Sequence, residues 1–192
     1  HAEGVGPFRM AMWVMLIGAA LLAGPVLYRG IIGQGDMRSI MFALLLGASY
    51  AFAVGGLFKA FSLVPISIVG PYTAGYPALV VVWGLVNGLT PSPFEWLAIV
   101  MIVAGAVVVG RFGPDDGGIK SIAPGKLGYV IAACAVARFG FAAAVVLGQT
   151  ASPGLGEFET TFISRFPAAL MLLPLALKDR AAQPAMNRGS WW

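Results

Sequence analysis

Charge is what this sequence has least of: Asp, Glu, Lys and Arg make up 10% of its 192 residues, while 59% are hydrophobic. A water-soluble domain of this length needs far more polar surface. Cysteine is nearly absent too. Cys134 is the only one, so no intrachain disulfide can form, and its apolar neighbours mark it as a small buried hydrophobe. The single histidine is residue 1. No His/Cys/Asp/Glu spacing suits a metal, no glycine-rich nucleotide loop is present, and no carboxylate pair lies within an apolar run. These absences argue against an enzyme with a catalytic constellation and against an ATP-driven pump within this chain. They imply no cofactor. The net charge of +4 is spread out with no Lys/Arg cluster, so nucleic acid is not an expected partner.

What is present is apolar sequence of helical length. Six stretches, 10–29, 39–61, 65–88, 94–111, 126–149 and 160–177, are long enough to cross a bilayer, since about 20 apolar residues span ~30 Å of hydrocarbon. Barrel strands need only ~10 alternating residues, so the expected fold is an all-α polytopic bundle of about six transmembrane helices. Its first partner is the lipid bilayer. The first run has no basic start and no small-residue cleavage site, which argues against a signal peptide. Both ends read as cut: processing could explain the start, and a fragment of a longer membrane protein explains both.

Turn and charge signals separate the runs. They are Arg29-Gly30 through Arg38, Asn87 through Pro93, Gly113 through Gly118, and Ser152-Pro153-Gly154, which is expected to open a loop carrying Glu157 and Glu159 into water. Small residues recur at fourfold spacing: Gly47, Ala51 and Gly55, then Gly84 and Gly88, then Gly140, Ala144 and Gly148. Such stripes let helices approach closely in lipid, either within one chain or across a homodimer seam.

The third run carries Pro65, Gly70, Pro71, Gly75 and Pro77, with Tyr72 and Tyr76 between them. Proline frees a backbone carbonyl that needs another partner in lipid. Interrupted helices in transporters offer such carbonyls to substrate cavities; a kink packed by neighbours is the competing account. If both tyrosines are helical, their spacing puts them on one face. Among ionisable residues, Arg138 is near the middle of its run, about 18 Å of helix rise from Lys126. A charge there costs at least ~2.5–3.5 kcal/mol. Substrate or ion pathway and structural pairing are both open for it. Lys59 and Arg165 lie near helix ends, where snorkelling is the alternative to a site. Tyr50, Trp83 and Gln149 are further cavity candidates, with packing as the alternative.

The order of motifs resembles the drug/metabolite transporter superfamily, in its EamA-like branch. The residues that carry the resemblance are Gly56-Leu57-Phe58-Lys59-Ala60-Phe61-Ser62, then Pro71 to Pro77, then Ile102-Val103-Ala104-Gly105-Ala106-Val107. That family is built from two inverted five-helix repeats, ten helices in all. The resemblance implies that 1–111 corresponds to helices two to five of the first repeat, 112–125 to the connecting loop, and 126–192 to the start of the second. One helix would precede His1 and three would follow Trp192, and Arg9 and Arg165 would be equivalent positions. Many members carry Glu at the end of the fourth helix, where this chain has Leu89.

The resemblance implies secondary transport of a small metabolite or drug-like molecule by alternating access, in a bacterial plasma (inner) membrane. The cavity would hold Tyr50, Tyr72, Tyr76 and Arg138, joined by Lys59 and Arg165. No carboxylate sits at the centre of a run to carry a proton, so facilitated exchange is as open as proton coupling. A non-transporting scaffold and an inactive fragment are the rival readings. Orientation is contested. Alternating the six spans puts Arg9, Lys59, Arg111, Lys120, Lys126, Lys178, Arg180 and Arg188 on one side, which the Lys/Arg rule makes cytoplasmic. The family template places 112–125 outside, and that orientation is adopted.

Overall fold

Helices form wherever the apolar runs predict them. The computed structural model describes residues 6–29, 35–64, 66–112 and 124–182. It contains α1 (Pro7–Arg29), α2 (Met37–Phe61), α3 (Ile66–Thr73), α4 (Tyr76–Val86), α5 (Pro93–Phe112), α6 (Pro124–Leu155) and α7 (Glu157–Ala182). No strand occurs among the described residues. Five stretches are long and apolar enough to span a bilayer, by length and composition: Phe8–Tyr28, Met37–Phe61, Val69–Val86, Gly125–Leu155 and Glu157–Lys178. Among the described residues α5 contributes the apolar stretch Pro93–Gly105. This is a polytopic helical bundle. Pro65, most of the 112–125 loop and the tail beyond 182 lie outside the described residues.

The chain divides into two compact units, His1–Ala51 with Gly148–Trp192, and Phe52–Leu147. In the first, α1 packs on α7. Ala11, Met15 and Ala19 on α1, and Ser164, Ala168, Leu172 and Ala176 on α7, are all buried. Both sets follow i,i+4 spacing, the stripe that keeps one helix face on its neighbour. Gly47 lets α2 close on α7, because a Cβ there would collide with the Ser164 carbonyl and Pro167. Ala43, Ala151 and Leu155 form a small core with Ile40, Phe42 and Ile163. Asp36 caps α2, accepting the Ser39 N–H at 3.2 Å.

The second unit closes on alanine and glycine. A Cβ on Gly56 would come within 2.8 Å of the Ala133 carbonyl, and one on Gly140 within 2.9 Å of the Ala53 backbone. Backbones this close gain the dispersion contacts that hold helices together in lipid. Ala60, Val64, Val69, Val130, Ala133 and Cys134 form its core, so Cys134 is the small buried hydrophobe expected. Ser92 and Glu95 cap α5 reciprocally: the Ser92 N–H donates to Glu95 Oε2 at 2.6 Å and the Glu95 N–H to Ser92 Oγ at 3.3 Å. This is a capping box with Pro93 at the first helical position.

Three expectations change. Ser152-Pro153-Gly154 opens no loop, for α6 continues to Leu155. The Ser152 hydroxyl donates to the Gly148 carbonyl at 2.8 Å, and burial of Ala151 and Leu155 holds the last turn in place. Glu157 and Glu159 therefore belong to the first turn of α7, and Glu159 is 2% exposed rather than in water. Gly84 and Gly88 are not a packing stripe. Gly88 has φ +80° and ends α4: its N–H donates to Leu85 O at 3.0 Å and the Leu89 N–H to Gly84 O at 2.9 Å, the pattern of a helix-terminating Schellman turn.

Candidate functional site

The third apolar run is interrupted outright. α3 stops at Thr73, α4 starts at Tyr76, and Gly75 caps α4 with Pro77 in its first turn. Pro77 has no N–H for the Thr73 carbonyl, four residues back, so the break follows from the sequence. Thr73 turns its own hydroxyl inward, donating to Val69 O at 2.8 Å. Tyr72 and Tyr76 lie on either side of the break instead of on one helix face. Both still meet α6: Tyr72 lies under the Arg138 guanidinium, 5.6 Å from Cζ to the ring centre, and Tyr76 packs on Phe141 at 5.7 Å. Arg138 and Phe141 are three apart on α6, hence neighbours on its surface.

Arg138 is fitted to the break. A Cβ at position 75 would stand 3.0 Å from its Cζ and Nη2, so any larger residue would push the guanidinium aside by a few tenths of an ångström. Its Nε is buried without a hydrogen-bond partner. A desolvated cation–π contact contributes up to about 2 kcal/mol, whereas an orphaned buried donor costs ≈ 1–3 kcal/mol on top of the ~2.5–3.5 kcal/mol for a charge in the membrane. The cation–π contact alone thus does not offset the cost of holding this group here.

Arg165 repeats the pattern in the other unit. Its Cζ lies 5.5 Å from the centre of the Tyr50 ring, Nη1 donates to Met15 Sδ at 3.2 Å, and its Nε is also buried without a partner. Gly18 lies beneath it, where a Cβ would stand 3.5 Å from Nε, an ordinary contact. Lys59 is exposed and lies over Tyr129, Nζ to ring centre 5.6 Å. Trp83 and Gln149 are exposed as well. Of the six residues expected at one cavity, the structure thus joins Arg138 with Tyr72 and, across the break, Tyr76; it joins Arg165 with Tyr50; and it leaves Lys59 with neither. Sequence reasoning missed Met15 and Gly18 as neighbours of Arg165, and no local signal marks either of them.

Residues 2–111 match the EamA-like transporter family. The chain belongs to that family. No curated protein and no solved structure matches it. The EamA-like match with the apolar helices makes the chain an integral membrane protein, in a family of membrane transporters of the drug/metabolite kind. The matched stretch holds Tyr50, Lys59, Tyr72 and Tyr76, while Arg138 and Arg165 lie beyond it.

Proposed function

We propose that this EamA-like protein performs secondary, non-enzymatic transport of a small anionic or zwitterionic metabolite by alternating access, in a bacterial plasma membrane. The observation that carries the reading is the Arg138 guanidinium, held over Tyr72 by the Gly75 break with its Nε buried and unpartnered. Planar guanidinium groups suit carboxylate and phosphate because they offer parallel donors at fixed spacing. Arg138, Tyr72 and Tyr76 are assigned to the substrate, whereas Tyr50 and Arg165 form a separate pair within the other unit. Lys59, over Tyr129 at the end of α2, is assigned to the headgroup region, where a long stem carries its charge toward water. Broken helices at transporter sites let one element move against another without breaking regular backbone hydrogen bonds.

The test uses the full-length protein in proteoliposomes preloaded with mixtures of carboxylate, phosphate, zwitterionic and cationic metabolites. Counterflow of carboxylates, phosphates or zwitterions should occur in the wild type and collapse in Arg138→Ala, with partial recovery in Arg138→Lys. Transport restricted to cations, or wild-type rates in the alanine variant, would overturn the reading.

A further inference from the structure

The carboxylate at the start of α7 has no part in that site. Glu159 is 2% exposed, and neither of its oxygens has a hydrogen-bond partner. Thr160, next in the chain, is also 2% exposed, and its Oγ1 lacks a partner as well. The turn before α7 holds the carboxylate in. Gly156 has φ +93°, and Glu159 Oε2 occupies the space that a Cβ at 156 would need. A side chain at 156 is thus opposed twice, by backbone conformation and by the carboxylate.

Helix capping does not account for Glu159. In a capping box the third-position Glu accepts the N-cap N–H, but the Gly156 N–H already donates to the Ser152 carbonyl at 2.7 Å. The helix dipole favours an anion at this end by up to ~2 kcal/mol, less than the several kcal/mol that a buried ionised carboxylate costs without donors. Among the described residues no counter-ion serves it either. The charged and titratable side chains described on the elements of this unit are Arg9 and Tyr28 on α1, Asp36, Arg38 and Tyr50 before and on α2, and Glu157, Arg165 and Lys178 on α7. Arg165 is engaged with Tyr50 and Met15, Arg38 lies over Phe42 and Asp36 binds Ser39. None of these groups hydrogen-bonds Glu159.

We infer that Glu159 is a binding site for a small monovalent cation, a proton or Na+. Either occupant neutralises the carboxylate and removes the cost of burying it as an anion. A carboxylate offers oxygen, the donor type that hard cations prefer. Any role in coupling rests on the transport reading above: a site filled and emptied once per cycle would tie substrate movement to a cation gradient. Binding itself does not depend on that reading.

The experiment measures thermal unfolding of the full-length protein in detergent, wild type and Glu159→Gln, against NaCl and against choline chloride, with carbodiimide labelling in the absence of Na+. If Na+ is the occupant, NaCl raises the wild-type Tm and choline chloride does not, and Glu159→Gln responds to neither. If the proton is the occupant, NaCl has no specific effect. A hydrophobic carbodiimide, whose C=N bond takes up a protonated carboxyl, should then modify Glu159 in peptide mass maps and leave Glu159→Gln unmodified at that position. Identical responses of the two proteins to both salts, with no adduct at Glu159, would overturn the assignment. Should Glu159→Gln fail to fold, the wild type's salt response and the location of the adduct still decide. A failure here leaves the Arg138 reading standing, and the reverse also holds.

Discussion

Each unit of this protein builds an arginine over a tyrosine beside a glycine, with the arginine Nε buried and unpartnered. The backbone beneath them differs. Arg138, on α6, packs against the interrupted α3–α4 segment, at a glycine where a Cβ would stand 3.0 Å from its Cζ and Nη2. Arg165, on α7, packs against the continuous α1, at a glycine where a Cβ would stand 3.5 Å from its Nε, and Met15 Sδ accepts one of its N–H groups. The same side-chain pair can join two regular helices or serve an irregular segment with freed backbone groups. On the proposed transport reading, that difference would separate a contact that holds helices together from one that offers a charge to substrate.

The largest effect is expected where the comparison is sharpest. Hydrogen bonds to charged groups contribute ≈ 1.5–3 kcal/mol, so Arg138→Ala should reduce transport by roughly ten- to a hundredfold. Arg165→Ala should reduce it less than Arg138→Ala and lower Tm more, because Arg165 is tied to Met15 and Tyr50 across helices. Equal transport losses in liposome counterflow would erase the distinction between the two pairs.

Glycine replacement comes next. Gly75→Ala must displace the guanidinium, and transport should fall several-fold while the protein stays folded. Gly18→Ala adds a methyl group at ordinary contact distance, and alanine favours the helix over glycine by ≈ 0.8–1.0 kcal/mol. That variant should transport normally with an unchanged or raised Tm. A transport loss in Gly18→Ala comparable to that in Gly75→Ala would show that both arginines are held equally tightly.

Much of this architecture is legible in the sequence, for physical reasons that also explain what is not. Apolar length marks the spans, and Pro71, Gly75 and Pro77 mark the break, because both signals act through the local backbone. The Gly140, Ala144 and Gly148 stripe does face packed neighbours. The Gly47, Ala51, Gly55 stripe does so only in part: Gly55 meets nothing within 4 Å, and Ala53 and Gly56 make the close approach instead. A helix turns 3.6 residues per repeat, so a strict fourfold stripe drifts off the contact face. The Ser92-Pro93-Phe94-Glu95 box has the spacing of a helix start, although Ser92 and Pro93 also read as the end of the connection from Asn87. Glu159 was not readable. Its burial depends on α6 running through Pro153 to Leu155, and local turn chemistry points the other way there.

The proline pair tests the same contrast through the backbone. Pro77→Ala restores a donor for the Thr73 carbonyl and should draw α3 and α4 toward one helix, lowering transport more than Tm. Pro153→Ala adds a donor within a helix that is already continuous and should leave transport unchanged, with Tm the same or higher. Normal transport in Pro77→Ala would make the break a packing feature and remove the main support for Tyr72 and Tyr76.

The smallest effect concerns the two helix starts. α5, in the second unit, is capped reciprocally by Ser92 and Glu95. α2, in the first, begins on Asp36 with Ser39 as its partner. Hydrogen bonding from Ser39, its side chain first, holds the Asp36 carboxyl below the ordinary aspartate range, and the nearby Arg38 charge adds to this. The folded value is depressed, so the stabilisation is present above the unfolded aspartate value and is lost as pH falls through the folded one. Asp36 is exposed and the effect is screened, so the change should be small. Asn caps helices about as well as Asp. Asp36→Asn should therefore keep most of the neutral-pH Tm while flattening this part of its acid dependence, measured by thermal unfolding in detergent across the acidic range. Identical acid profiles for wild type and Asp36→Asn would show that Asp36 acts as a neutral cap does, leaving its charge without a role in starting α2.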